Sequence, residues 1–467
     1  MINSISAEVL DLITQRLLVS DLKNMRLVCS RMNQVATRRL FHSLLLKPTN
    51  ESIQRWNSVL QDAQLRQLPR SAIIWSFVDV DLRLHNDGQA DDYRDDDEEE
   101  EEKRKAEFFA AIRSLKALPR LDSVNLRSTA DVTGRENMEE TEYDLYENIN
   151  YRADTLQALF TGIKAHNDET EATEIRDLTL RNLQNLPIPE LTDTPLFKNV
   201  MEKLHGLHLQ ITYEYNVHGP DHDFEWEERQ TFYPHLNEHW LRPIAGNLKR
   251  LSLYDVNNWG LFPGQFDTTD LHFPQLEELS LGYYTIAYDD QINWILRCKD
   301  LKRLHLHNVQ VLSHINIYNT NISTWSVKTD NWRRVPNPED PDEPINTSED
   351  GDSYFQYDIR WAHFFDRIAN ELPNLTEITF DYTGGGLDLF DISDRNSLGQ
   401  NLHMSRYVGF WNGILPNPWP EPDDRDSSGA IEWVGVEVNP HSESIEEDTK
   451  AFQQLCKVVE DRRLKTG

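Results

Sequence analysis

From residue 70 onward one pattern constrains the chain more than any other: three apolar residues spaced as Leu-x-x-Leu-x-Leu. It stands at Leu121-Val124-Leu126, Ile175-Leu178-Leu180, Leu204-Leu207-Leu209, Leu248-Leu251-Leu253, Leu276-Leu279-Leu281, Leu301-Leu304-Leu306 and Leu375-Ile378-Phe380, with a looser version at Trp75-Val78-Val80. The last two positions alternate as on a strand that buries one face. Helical periodicity precedes most of them, over residues 106–118, 155–164, 196–203, 236–245, 291–297 and 359–372, and two of these stretches stop at a proline, Pro119 and Pro373. A helix followed by a short strand cannot bury its apolar face alone, so successive units must stack on one another. Starts at 175 and 204, and at 248, 276 and 301, lie 25 to 29 residues apart.

That interval and frame resemble an irregular leucine-rich repeat solenoid, here placed at 70–390. The asparagine of the full repeat signature is missing, and an ordinary α/β domain with amphipathic strands shares the alternation though not the frame. Irregular spacings mark insertions. Residues 87–105 are dominated by acid, with eight consecutive carboxylates from Asp95 to Glu102, and are expected to be solvated and disordered through self-repulsion. A second insertion, 331–355, is rich in Pro, Asp, Glu and Asn and reads as a loop. Residues 391–467 read as a capping region whose last helix, Ile445 to Leu464, sets Phe452, Leu455 and Val459 on one face.

The N-terminus is different in kind. Residues 3–41 read as three short helices, with Ser6 and Ser20 as caps and apolar stripes at Val9, Leu10, Ile13 and Leu17, at Leu22, Met25 and Val28, and at Met32, Val35, Ala36 and Leu40. A unit of about 40 residues buries little core of its own and leans on a neighbour or a partner chain. Ala7-Glu8-Val9-Leu10, Ile13, Leu17, Asp21-Leu22 and Leu27-Val28-Cys29-Ser30-Arg31 resemble the F-box, so residues 3–46 are identified as an F-box domain. Two positions depart from the family's form: Ile5-Ser6 replaces Leu-Pro, and Met32 stands where an aromatic is common. A helical cap on the array would share the periodicity but not the Asp-Leu and Val-Cys-x-Arg punctuation.

The resemblance implies a fold class of α/β repeat type, a three-helix F-box followed by the irregular solenoid. It also implies a function: the non-catalytic substrate-recognition subunit of a Skp1-cullin-F-box ubiquitin ligase, in the ubiquitin conjugation pathway. A Skp1-like adaptor, and through it a cullin, are the implied partners, together with a target protein of unknown identity. Ile5, Val9, Leu10, Ile13, Leu17, Leu22, Leu27 and Val28 are the implied adaptor contacts, some of which must instead form the helices' own core. An adaptor-bound scaffold without ubiquitylation, or an enzyme with a pocket around Tyr407 to Trp419, are the alternatives.

Charge and motifs narrow the remaining classes. The chain has 467 residues, 47 Lys and Arg against 79 Asp and Glu, and a net charge of −32. Such a chain repels phosphate backbones and anionic lipid, so neither nucleic acid nor membrane is an expected partner. The first 46 residues carry six basic and three acidic groups, which suits an acidic partner such as the F-box adaptor. Cys29, Cys298 and Cys456 lie far apart without a C-x-x-C spacing, consistent with a reducing cytoplasmic or nuclear compartment. No G-x-x-x-x-G-K-[ST], H-E-x-x-H or G-x-S-x-G occurs, and no catalytic residue or cofactor is expected.

The open face of stacked parallel strands carries the residues between the buried leucines. This gives one column of Thr179, His208, Ser252, Ser280, His305 and Thr379 and a second of Arg181, Gln210, Tyr254, His307 and Asp381. Tyr254, His305, His307, Arg181 and His208 are the candidate target contacts, with Tyr254 the aromatic anchor. His305 and His307 share a face, but His208, two or three strands of ~4.8 Å away, is too far to complete a zinc site with bonds of ~2.1 Å, so no metal is expected.

Overall fold

Ser6 starts the first helix, its hydroxyl accepting from the Val9 amide at 3.3 Å. In the computed structural model, which describes residues 6–78, 98–130, 132–133, 147–214, 226–337, 345, 348, 351–382, 396–397, 407–413 and 444–466, this helix is α1 (Ala7–Thr14), followed by α2 (Val19–Met25) and α3 (Ser30–Leu40). The second helix starts after Leu18 with no side-chain cap, not at Ser20. Asn33 on α3 donates its side-chain amide to the Arg26 carbonyl at 3.0 Å, fixing the turn between α2 and α3. Leu10, Leu22 and Ala36 are buried, one from each helix.

The chain forms two compact units, residues 1–182 with 193–204, and residues 183–192 with 205–467. Each is α/β. In the first, β1 (Ser43–Leu46), β2 (Ser71–Trp75), β3 (Ser123–Arg127) and β6 (Asp177–Gln184) pair in parallel in that order, while β4 (Val132–Thr133) and β5 (Glu147–Asn148) form a separate two-residue pair. Parallel neighbours need a crossover, supplied by α4 (Asn50–Gln61), α5 (Glu98–Arg113) and α6 (Ile149–Asn167). Leu44, Ala72, Val124 and Leu178 share one buried row, and Leu46, Ile74, Leu126 and Leu180 the next.

Three expectations change here. Leu44 and Leu46 belong to a strand of the sheet and not to the helical module. The loose Trp75-Val78-Val80 triplet is out of frame: Ala72 and Ile74 are the buried positions, Trp75 ends β2, and Val80 lies outside the described residues. Glu98 to Glu102, expected in a disordered run, lie within α5. Residues 87–97 of that run lie outside the described residues.

A buried ion pair joins α6 to β5 in this unit. Arg152 Nε lies 2.9 Å from Glu147 Oε2, and its other nitrogens donate to the Asn182 carbonyl at 2.9 Å and the Thr129 carbonyl at 2.6 Å. Ser76 donates to the second carboxylate oxygen. Each charge is thereby hydrogen-bonded as well as paired, the condition under which burial of an ion pair is tolerated.

In the second unit β7 (Gly206–Thr212), β8 (Arg250–Trp259), β9 (Glu278–Ile286), β10 (Arg303–His307) and β14 (Glu377–Tyr382) run parallel, and β15 (Asn396–Ser397) pairs antiparallel with β14. Leu207, Leu251, Leu279 and Leu304 form one buried row; Leu209, Leu253, Leu281, Leu306 and Phe380 form the next. The frame does not continue unbroken. β11 (Gln310–Tyr318) pairs with the end of β9, with β16 (Tyr407–Trp411) in parallel and with β13 (Asp352–Gln356) in antiparallel fashion; β13 in turn takes β12 (Arg333–Val335). The 331–355 segment, expected as a loop, therefore contributes two strands. Its strand β13 buries Ser353 and Phe355 at alternate positions.

The closing helix, Ile445–Thr466, buries Phe452, Leu455 and Val459 as expected, with Phe452 against Phe365 and Phe380. Phe365 lies on the helix Trp361–Glu371, whose end is capped by Arg462 donating to the Ala369 and Leu372 carbonyls at 2.7 and 2.8 Å.

Asp255 on β8 is fully buried, accepting from the hydroxyls of Tyr213, at 2.5 Å, and Tyr233 and from the Asn257 amide at 2.8 Å. Burial pushes its pKa up to about 6, although these hydrogen bonds oppose the rise. A carboxyl with a raised folded pKa stabilises the fold below its unfolded pKa, near 3.8, and loses that contribution as pH rises through 6. Asp255→Asn is expected to remove this slope. Thermal melts at pH 4.5 and 7.5 should show the wild type losing about 2 kcal/mol relative to the variant.

Candidate functional site

The eight residues expected at the adaptor interface divide into two groups. Leu10 and Leu22 are buried in the helical core, which removes them as contacts, because a side chain without exposed surface cannot meet a partner. Val9, Ile13, Leu27 and Val28 are exposed, Leu27 at 85%. Leu17 is half-buried and Ile5 lies outside the described residues.

Three further apolar side chains are exposed beside them: Leu12, Leu18 and Val19. Val9, Leu12 and Ile13 follow the i, i+3, i+4 spacing of one helix face. Seven of the twelve large apolar side chains exposed among the described residues thus fall between positions 9 and 28. Isolated exposed leucines are ordinary, whereas seven exposed apolar side chains in 20 residues is a concentration found nowhere else among the described residues. Periodicity passed over Leu12 and Leu18 because it ranks residues by membership of one stripe, and this module has both an inward and an outward apolar face.

The candidate target contacts also divide. Arg181, in the first unit, stands in register with Arg127 and Trp75, and Lys47 and Arg127 approach the Trp75 ring at 4.1 and 5.5 Å. In the second unit His208 is in register with Ser252, Ser280 and His305, and its Nδ1 lies 2.8 Å from the Ser252 hydroxyl. His208 and His305 are thus three strands apart, as the columns require. The next row contains Gln210, Tyr254, Gly282, His307 and Asp381.

This second row is not open. Tyr254 is 2% exposed and His307 0%, so neither is an accessible anchor for a target, contrary to expectation. The reason is Gly282. A Cβ there would lie 2.2 Å from Tyr254 Cδ1, so the Tyr254 ring occupies the space a side chain on β9 would need. Freed to cross that strand, the ring stacks on His307 with centroids 6.0 Å apart and brings its hydroxyl within 3.4 Å of His305 Nδ1.

The same row joins two histidines and a carboxylate. His305 and His307 alternate on β10 and point to one side; Asp381 faces His307 across the β10–β14 ladder. Asp381 Oδ2 lies 2.8 Å from His305 Nε2, and Oδ1 lies 2.6 Å from His307 Nδ1. Burial works to raise the pKa of this carboxyl, but the hydrogen bonds and charge of both imidazoles outweigh it and hold it well below the usual carboxylate range. His208 stands three strands from His305, whereas Asp381, one strand away, is within hydrogen-bond reach of both histidines.

Tyr407, Val408 and Phe410, candidates for an enzymatic pocket, are core residues. The Tyr407 hydroxyl donates to Asp448 at 2.5 Å and accepts from the Trp361 amide at 3.0 Å, so its polar group serves the fold. Residues 414–419 of that stretch lie outside the described residues. No helix among the described residues is long and apolar enough to cross a membrane. Comparison with protein-family models finds no match to this chain, and comparison with curated proteins finds none.

Gly282→Ala should lower the melting temperature by forcing the Tyr254 ring aside, an overpacking cost of about 1–3 kcal/mol. In a Tyr254→Ala background the same substitution should cost almost nothing, and a double-mutant cycle on thermal melts measures the difference.

Proposed function

We propose that this chain is the substrate-recognition subunit of a Skp1-cullin-F-box ubiquitin ligase. In this reading α1 to α3 form the F-box and dock a Skp1-like adaptor, and the parallel strands and their crossover helices form a degenerate leucine-rich repeat array that holds a target protein. The protein contributes no catalytic group. It raises the local concentration of a target lysine around the ubiquitin-charged enzyme that the cullin carries.

The observation that carries the proposal is the exposure of Val9, Leu12, Ile13, Leu18, Val19, Leu27 and Val28 in a helical module that buries Leu10, Leu22 and Ala36. Leaving such side chains in water forgoes about 25 cal/mol for each Å² that a partner could cover. Two of the exposed residues, Leu27 and Val28, belong to the Leu-Val-Cys-Ser-Arg segment that carries the F-box resemblance. The surplus of basic over acidic residues in the first 46 positions, on a chain of net charge −32, adds complementarity to an acidic adaptor. For the target, Arg181 in the first unit and His208 and His305 in the second remain the candidates with exposed surface, while Tyr254 and His307 are buried.

Leu27→Asp with Val28→Asp should abolish co-purification of a Skp1-like adaptor while leaving the far-ultraviolet circular dichroism and melting temperature unchanged. Seating two carboxylates in an apolar interface costs several kcal/mol, a loss of about 100-fold or more in affinity. Leu22→Asp should instead unfold the helical module. Undiminished adaptor binding by the Leu27/Val28 variant, or no binding by the wild type, rejects the F-box assignment.

A further inference from the structure

We propose that His305, His307 and Asp381 form a binding site for one divalent transition-metal ion of the zinc type. This inference is independent of the adaptor reading. Among the described residues these three groups offer ligand atoms that all lie within 4.8 Å of one another. They comprise two imidazoles and one carboxylate, a donor set that zinc takes readily.

The geometry lies close to what an ion needs. Zinc bonds of ~2.0–2.2 Å in a tetrahedral arrangement place donor atoms ~3.3–3.6 Å apart. The two imidazole-to-carboxylate separations, one to each oxygen of Asp381, are 2.8 and 2.6 Å, and one ligand atom from each residue lies within 4.8 Å of the others, so an entering ion has to part each imidazole from its oxygen by up to about 1 Å. His305 and His307 are neighbours on one face of β10, and Asp381 is tied to them by the β10–β14 register. The backbone ladder therefore holds all three.

The surroundings favour the ion as well. A metal-bound histidine usually directs its second ring nitrogen at a partner, which fixes the ring and the tautomer. His305 does this: its Nε2 faces Asp381 and its Nδ1 faces the Tyr254 hydroxyl at 3.4 Å. For neutral imidazoles, binding requires that each ring proton leave the nitrogen facing Asp381: on His305 it relocates from Nε2 to Nδ1, where the Tyr254 oxygen can accept it, and on His307 from Nδ1 to Nε2, so that both lone pairs are released to the metal. His307 is fully buried and the Asp381 side chain 6% exposed, but the His305 side chain is 20% exposed, which leaves a route for the ion. Three protein ligands leave a fourth tetrahedral position for water.

The test must separate this site from cation adsorption on an acidic chain. The full-length protein is treated with EDTA, dialysed and titrated calorimetrically with zinc chloride in the presence of excess magnesium. The proposal predicts one zinc per chain and a rise in melting temperature of about 5 °C or more at 100-fold excess over Kd. His305→Ala and Asp381→Asn should each weaken binding at least tenfold. Cobalt(II) added to the unmutated protein should give the visible absorption of a four-coordinate site, abolished by zinc; this readout does not depend on any variant folding. No saturable zinc binding and no cobalt band, or zinc held equally well by folded His305→Ala and Asp381→Asn proteins, overturns the proposal and leaves the cluster as a hydrogen-bonded core network.

Discussion

Burial of alternate apolar residues along parallel ladders is the constraint on which the structure depends. A strand such as Arg303–His307 buries only two apolar side chains, Leu304 and Leu306, far too little to be stable alone, so it must align its leucines with those of its neighbours. Leu279 and Leu281 on one side do this in register, and Phe380 extends the inner row on the other. A slip of one residue would turn both leucines outward. Register, once set by the leucines, also sets what the opposite positions can meet: Tyr254, Gly282, His307 and Asp381 are neighbours because Leu253, Leu281, Leu306 and Phe380 are.

The leucine frame was legible for the same reason that it is strong, since one residue type recurs at fixed spacing and each occurrence has one physical explanation. The closing helix was legible too, through Phe452, Leu455 and Val459. Other features escaped because they depend on pairs of residues distant in sequence. Tyr254 reads as an exposed aromatic on an alternating strand, and only the glycine opposite it, 28 positions later, lets the ring lie across the sheet. Asp381 becomes a partner of His305 and His307 only through a ladder spanning more than 70 residues. The strands in 331–355 were hidden by a composition of Pro, Asp, Glu and Asn that favours loops; pairing with β11 overrides that local preference.

The N-terminal helices present the opposite problem. Their apolar residues were all visible, but periodicity could not assign them to core or surface. Leu10 and Leu22 fill the interior, while Val9, Leu27 and Val28 face outward. A module of this size cannot turn every apolar side chain inward, because three short helices enclose too little volume. The outward residues are therefore a surplus of apolar surface left in contact with water.

The central claim is that α1 to α3 dock an adaptor protein and the body does not. Hydrogen–deuterium exchange of the full chain with and without a purified Skp1-like adaptor tests it most directly. The account predicts adaptor-dependent protection confined to residues 7–40, strongest in the segment around Leu18 to Val28. Unchanged exchange in that segment, or protection appearing instead along the strands from 250 to 382, would contradict it.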